Sequence, residues 1–363
     1  MRKLFFGTVL VASIGSLSPS ASAQTIASDT PETRVGAHGL RLPASFSGVL
    51  PCADCPGIRH HLDLWDTSGG FVLRREYIDR DLVVVTRGRW HADPQARAII
   101  LRGEDGEQMG WQILDQDRVR MLDQDGDPID SELDYELSAG PMEPVDISAT
   151  LTGAFTYFAD AALFEDCLTG ERMPVVMAGD YLALERAYLE ERSAPMAPLL
   201  ARIDARVAEA EAMEGPPRRS VHVERLHHVT PHGACLTRRA PAPLVNSFWR
   251  IRSVEGVPLP AGADMREPYL LLLAGEDGAS RFSGTLGCNM MMGSYTRDGE
   301  ALSFGPAAST MMACPPPLDG LEPAFAEALA ATAGFSSDGY ALNLTDDAGR
   351  IRASLVAVHT PWN

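Results

Sequence analysis

The chain has 363 residues, 45% of them hydrophobic, and a formal net charge of −18 at pH 7. That excess of carboxylates excludes a nucleic-acid partner, whose affinity comes from Lys and Arg neutralising phosphates, and it disfavours anionic membrane surfaces. The hydrophobic fraction suffices for ordinary cores, and the length implies two or three domains.

Arg2 and Lys3 precede an apolar run from Leu4 to Ile14, and a polar stretch then ends in Ala21-Ser22-Ala23. Basic, apolar, then small residues in the A-x-A pattern predict a signal peptide over residues 1–23, cleaved before Gln24. The run is too short to cross a bilayer. No later segment reaches that length, so no integral membrane segment is expected in the mature chain. The first cysteine is Cys52, so no lipid-anchor cysteine stands at the expected new N-terminus. The expected location is periplasmic or secreted, where six cysteines are by default disulfides.

Residues 24–42 are polar, lack periodicity and read as a flexible lead-in. From Phe46 the pattern is strand-like: Leu62 to Leu64, Phe71 to Tyr77, Leu82 to Thr86, Ile99 to Leu101, Gly110 to Leu114 and Val119 to Leu122. Short strands between Asp/Gly turns predict a small barrel or sandwich over residues 43–140. Asp134 to Leu137 is its expected last strand. Pro141 and Pro144 mark a boundary, and a second unit spans 147–237. There Leu182 to Leu189 predicts a short helix. Leu199 to Val207 alternates for nine residues, which favours a strand over the helix its Ala, Glu and Arg content allows.

After the Pro/Ala linker Arg238 to Pro243 a third unit spans 244–361. Strands are expected at Trp249 to Val254, Tyr269 to Leu273, Arg281 to Gly284, Tyr340 to Leu344 and Ala353 to Val358. One helix is expected at Gly320 to Thr332, where Leu321, Phe325 and Leu329 share a face. The predicted class is mainly β and multidomain.

The text Leu50-Pro51-Cys52-Ala53-Asp54-Cys55-Pro56-Gly57, with Met121 to Gly126 and Leu133 to Leu137, resembles the N-terminal domain of the NlpE envelope lipoprotein family. The second unit, through Tyr157 to Ala162 and Asp166-Cys167-Leu168-Thr169-Gly170, resembles that family's OB-type companion domain. The third resembles the META/HslJ domain through Gly284 to Asn289 and Ser309 to Pro315. These resemblances imply a small NlpE-type β-barrel, an OB-like barrel and an α+β META unit. They imply roles in copper tolerance and surface-stress signalling, with no firm cofactor, copper as the candidate, and an envelope signalling or folding protein as the partner. The family's long-range disulfide would be Cys167–Cys235 here. With the chain divided this way, the simple pairing is 52–55, 167–235 and 288–314.

Cys52-x-x-Cys55 leaves three chemistries open. The default is a disulfide stapling a barrel rim. A metal reading adds His60 or His61 to the two thiolates, copper being suited to both ligand types; strand alternation lets at most one of the two histidines face the sulfurs. A thiol-disulfide enzyme needs its first thiol at a helix N-terminus, and Pro51 and Pro56-Gly57 predict a turn instead. Met290, Met291, Met292, Met311 and Met312 flank Cys288 and Cys314; they are read as core fillers rather than as a Cu(I) set. His222, His227, His228 and His232 read as surface or turn histidines. Asp123 to Asp127 reads as a strand-joining turn without the glycine and terminal Glu of a calcium loop. No hydrolase elbow, phosphate loop, dinucleotide fingerprint or His-Glu-x-x-His is present, so no enzymatic motif is found. The expected function is a non-enzymatic envelope stress or copper-homeostasis protein that binds or senses metal or thiol status through the Cys-x-x-Cys turn; the alternatives are a structural or protein-interaction module with all cysteines in disulfides and, third, a thiol-disulfide enzyme.

Overall fold

Alternation of apolar and polar residues rolls the first third of the chain into a closed barrel. The computed structural model describes residues 34–66, 68–159, 161–212, 215–235, 238–260, 265–274 and 280–363. The expected signal peptide and residues 24–33 of the expected lead-in lie outside these. The eight barrel strands run β3 (Ala44–Leu50), β4 (Ile58–Leu64), β5 (Gly70–Tyr77), β6 (Val83–Asp93), β7 (Ala98–Gly103), β8 (Gln108–Asp115), β9 (Arg118–Met121) and β10 (Glu136–Gly140), with β10 closing on β3. Phe46, Leu62, Phe71, Leu73, Trp90, Ile99, Leu101, Trp111 and Val119 point inward and are fully buried. Each such side chain contributes roughly 1.5–3 kcal/mol.

Residues 34–42 correct the expectation of a flexible lead-in. Here β1 (Arg34–Val35) pairs with β2 (Arg41–Leu42). Ala37, Leu40 and Leu42 join the first barrel's core. Three apolar residues without a period gave no local signal, and only the barrel offers them a place to bury.

The second barrel has five strands, ordered β11-β12-β13-β15-β14. They are β11 (Ile147–Phe158), β12 (Ala161–Asp166), β13 (Arg172–Val176), β14 (Leu199–Ala210) and β15 (Arg218–Thr230). Between β13 and β14, helix α1 (Tyr181–Glu191) buries Tyr181, Leu184 and Tyr188. That spacing of three and four keeps them on one face. The alternating segment from Leu199 is strand β14, with Leu199, Ala201, Ile203, Ala205 and Val207 all inward.

The third region is a ten-stranded sheet. It comprises β16 (Phe248–Val254), β17 (Val257–Pro258), β18 (Tyr269–Ala274), β19 (Ser280–Thr285), β20 (Met290–Asp298), β21 (Ala301–Phe304), β22 (Ala308–Ser309), β23 (Gly334–Ser337), β24 (Ala341–Thr345) and β25 (Ile351–Val358). Helix α2 (Leu318–Ala330) lays Leu318, Leu321, Phe325, Ala328 and Leu329 on the core built by Trp249, Leu270, Leu272, Leu342 and Leu355. The fold is mainly β with two helices among the described residues.

Apolar contacts also join the regions. Val72, Val85 and Trp65 of the first barrel pack into the second barrel's core. Phe248, Leu271 and Val358 of the third region pack into the first barrel's core. Of the clustered methionines only Met291 is buried within the core; Met292, Met311 and Met312 are 54%, 98% and 57% exposed. The core-filler reading therefore holds for one face of β20, because strand alternation turns Met292 outward.

Candidate functional site

Strand β3 ends at Leu50 and β4 begins at Ile58, so Cys52 and Cys55 occupy the connecting turn at one rim of the first barrel. They are joined as a disulfide, with Cα atoms 5.3 Å apart. Both are half-buried, while Ala53, Asp54 and Pro56 are exposed. Arg80, from the neighbouring β5–β6 turn, donates to the Asp54 carbonyl at 2.7 Å and pairs with its carboxylate at 2.9 Å. The Ile78 N–H donates to the Gly57 carbonyl at 3.0 Å. No helix starts within the turn, so the dipole that activates a thioredoxin-type thiol is lacking here. Val49, Leu82 and Val83, at the same rim, are 49%, 43% and 49% exposed.

The structure groups Cys52 and Cys55 with Asp54 as atoms that could hold a metal ion. The predicted histidines stand elsewhere on β4. His60 points into the barrel, with Nδ1 3.0 Å from the Ile58 carbonyl and its ring against Trp111. Burial pulls its pKa down, partly offset by that carbonyl. His61 points outward and donates from Nε2 to Asp63 at 3.0 Å, and that bond raises its pKa. Asp63 is fully buried, accepts from Ser45 Oγ at 2.6 Å and Val145 N at 3.2 Å, and so fastens the linker to the second barrel.

The other cysteines form disulfides 167–235 and 288–314, and none among the described residues is free. Beside Cys314, the buried Glu322 carboxylate accepts from the Asn289 backbone at 2.7 Å and from its side chain at 2.6 Å. It thereby holds the turn that carries Cys288.

A third cluster escaped sequence reasoning. His38, Asp66 and His359 bring ligand atoms within 4.8 Å of one another. They come from the β1–β2 turn, the β4–β5 turn and the chain after β25. His359 donates from Nε2 to Glu267 at 2.9 Å and stacks on Trp90. His38 Nδ1 accepts the Leu40 N–H at 3.1 Å, which places the neutral ring's proton on Nε2. That nitrogen offers the cluster a proton rather than a lone pair, so the geometry suits a proton-linked joint better than a metal centre. No local motif could have revealed residues more than 300 positions apart.

Comparison with known proteins adds the family. Residues 46–132 match the NlpE N-terminal domain, 146–236 the NlpE C-terminal OB domain and 242–358 the META domain. The lipoprotein NlpE of Escherichia coli (strain K12) is 35% identical over 170 residues, which cover 45% of this chain and 67% of that protein. The crystal structure of the Cpx pathway activator NlpE from Escherichia coli is 31% identical; the match covers 53% of this chain and 97% of that one, with a TM-score of 0.24. A putative lipoprotein structure from Shewanella oneidensis is 29% identical over 27% of this chain and 89% of its own, also with a TM-score of 0.24. With its Cys-x-x-Cys rim turn, its two barrels and this identity across two thirds of a known member, the chain belongs to the NlpE family and carries a META domain in addition.

Proposed function

We propose that the protein works in envelope stress signalling and reports thiol or copper status through the Cys52–Cys55 turn. The observation that carries this reading is a disulfide in a rim turn whose exposed Asp54 is held by Arg80, in a family whose Escherichia coli member is described as a Cpx pathway activator. Reduction would add two electrons and two protons to the bond and free two thiols. Their thiolates, with Asp54 beside them, form a soft donor pair of the kind Cu(I) prefers. Bonded sulfurs offer no such donors. The protein's output would be contact with an envelope signalling or folding partner, and no catalytic step is assigned to it. The pairing of all six cysteines, together with the apolar rim of Val49, Leu82 and Val83, favours a second reading: an interaction module with permanent disulfides.

One experiment separates the two. The full chain is titrated with a graded thiol buffer, free thiols are counted by mass, and each sample is then titrated with Cu(I). The sensing reading expects Cys52–Cys55 to open first, one Cu(I) to bind the reduced form, and Cys52→Ser to abolish that binding. Copper uptake unchanged by Cys52→Ser, or no stage at which this pair alone is reduced, would overturn it and leave the interaction module.

A further inference from the structure

The outer face of β6 carries Arg87, Arg89 and His91 at alternate positions, and β7 sets Arg102 directly opposite Arg89. Like charges directly opposed across two strands are destabilising. Arg87 is neutralised, since its Nη2 donates to Asp166 of the second barrel at 2.6 Å with both groups buried. Neither Arg89 nor Arg102 makes a salt bridge to a carboxylate among the described residues, and Asp166 and Glu104 act on Arg89 only from farther off. Arg89 donates only to carbonyls, Ser68 at 3.0 Å and Cys167 at 2.9 Å, and lies 4.2 Å over the Trp362 ring. Arg239 covers that ring too, at 4.3 Å. Burial lowers the pKa of Arg89, and it brings Arg239 down to about 10. Arg102 is exposed and Arg89 and Arg239 are half-buried, and partial withdrawal of a guanidinium from water without a salt bridge carries a cost. It is notable physically that they collect here in a chain of net charge −18.

These groups border a crevice of about 390 Å³ between the first barrel, the second barrel and residues 361–363. Leu168 and Trp362 give it apolar walls and His91 and Gln108 add polar groups; of the acids on its lining, Asp166 is taken by Arg87 and Glu104 acts on Arg89 without a salt bridge. The volume falls in the range of small-ligand sites, roughly 300–1,000 Å³, and such sites favour domain interfaces. We propose that this crevice binds a small molecule bearing a carboxylate or phosphate, held by Arg102 and Arg89 against the Trp362 wall. The anion would relieve the cross-strand repulsion and gain charge-assisted hydrogen bonds, for which the guanidinium fork is shaped. This site is separate from the Cys52–Cys55 turn and does not depend on its redox state.

The test is calorimetric titration of the full oxidised chain at low salt with succinate, inorganic phosphate and the uncharged succinamide. Succinate or phosphate should bind, and the stronger of the two identifies carboxylate or phosphate-ester chemistry. Arg102→Gln should weaken binding at least about tenfold, the loss of one charged hydrogen bond. Without anion, Arg102→Gln should melt no lower than the parent, because it removes a repulsion. Binding unaffected by Arg102→Gln, equal binding of succinamide, no binding of either anion, or a lowered melting temperature in the variant would each overturn the proposal.

Discussion

Glu267 shows how one carboxylate can hold several distant segments. It is 1% exposed and accepts from the Ala37 N–H at 2.9 Å, from His359 Nε2 at 2.9 Å and from the Arg250 guanidinium. Burial alone would push its pKa up, but His359, Arg250 and the Ala37 N–H outweigh that and hold it well below the usual carboxylate range. A depressed carboxylate pKa contributes stability that is present above the unfolded value and lost as pH falls through the folded one. Glu267→Gln keeps the shape and removes the charge, which leaves the buried His359 and the half-buried Arg250 without their carboxylate. The expected loss is about 3–5 kcal/mol, read by urea unfolding at pH 7. The variant should also lack the part of the acid destabilisation that begins below the ordinary Glu value of 4.5. A variant as stable as the parent would mean the segments are held by apolar contact alone.

Among the elements, the second barrel depends most on a covalent tie. Cys167 follows β12 and Cys235 follows β15, so their disulfide closes a loop of sequence separation 68. Chain entropy makes such a loop worth about 4 kcal/mol. The same argument gives much less for Cys52–Cys55, with a separation of 3. The double change Cys167→Ser with Cys235→Ser should therefore lower stability by about 4 kcal/mol, whereas Cys52→Ser with Cys55→Ser should change it far less. Denaturant midpoints of the two variants check this, and equal losses would contradict it. The contrast fits the role proposed above for the short rim pair, because in the chain-entropy model opening it costs the fold little.

At the scale of the whole molecule, the seam between the first barrel and the META region is built to stay closed at neutral pH. His38 lies inside it, and burial, then the neighbouring His359, Arg239 and Arg250, hold its pKa well below 6.5 against the pull of Glu267. A histidine kept neutral in the folded state contributes fully above its unfolded pKa. Below 6.5 the opened state binds the proton more readily, so stability falls with pH. Thermal melts at pH 7.5 and pH 5.5 should show the parent losing stability on acidification. His38→Asn should reduce that loss; an unchanged pH dependence would place its source elsewhere. The same seam buries Phe248, Leu271 and Val358 in the first barrel's core, so its opening would expose apolar surface.

The sequence by itself determined the parts whose signal is local. Alternation set the strands from Leu62 to Val119 and decided Leu199 to Val207, four-residue spacing marked α2, and the Leu-Pro-Cys-Ala-Asp-Cys text marked the family. Tertiary structure alone decided what depends on distant partners. It turned part of an apparent lead-in into a plug for the first barrel, because Leu40 and Leu42 gain their burial from strands that follow them. It grouped Asp54, rather than either histidine, with Cys52 and Cys55, while β4 aims the His60 ring inward and ties His61 to Asp63. It brought His38, Asp66, Glu267 and His359 together, and set Arg89 opposite Arg102 beside Trp362. Local periodicity reports which way a side chain faces, but the charge or wall it meets is supplied by whichever chain segment folds against it.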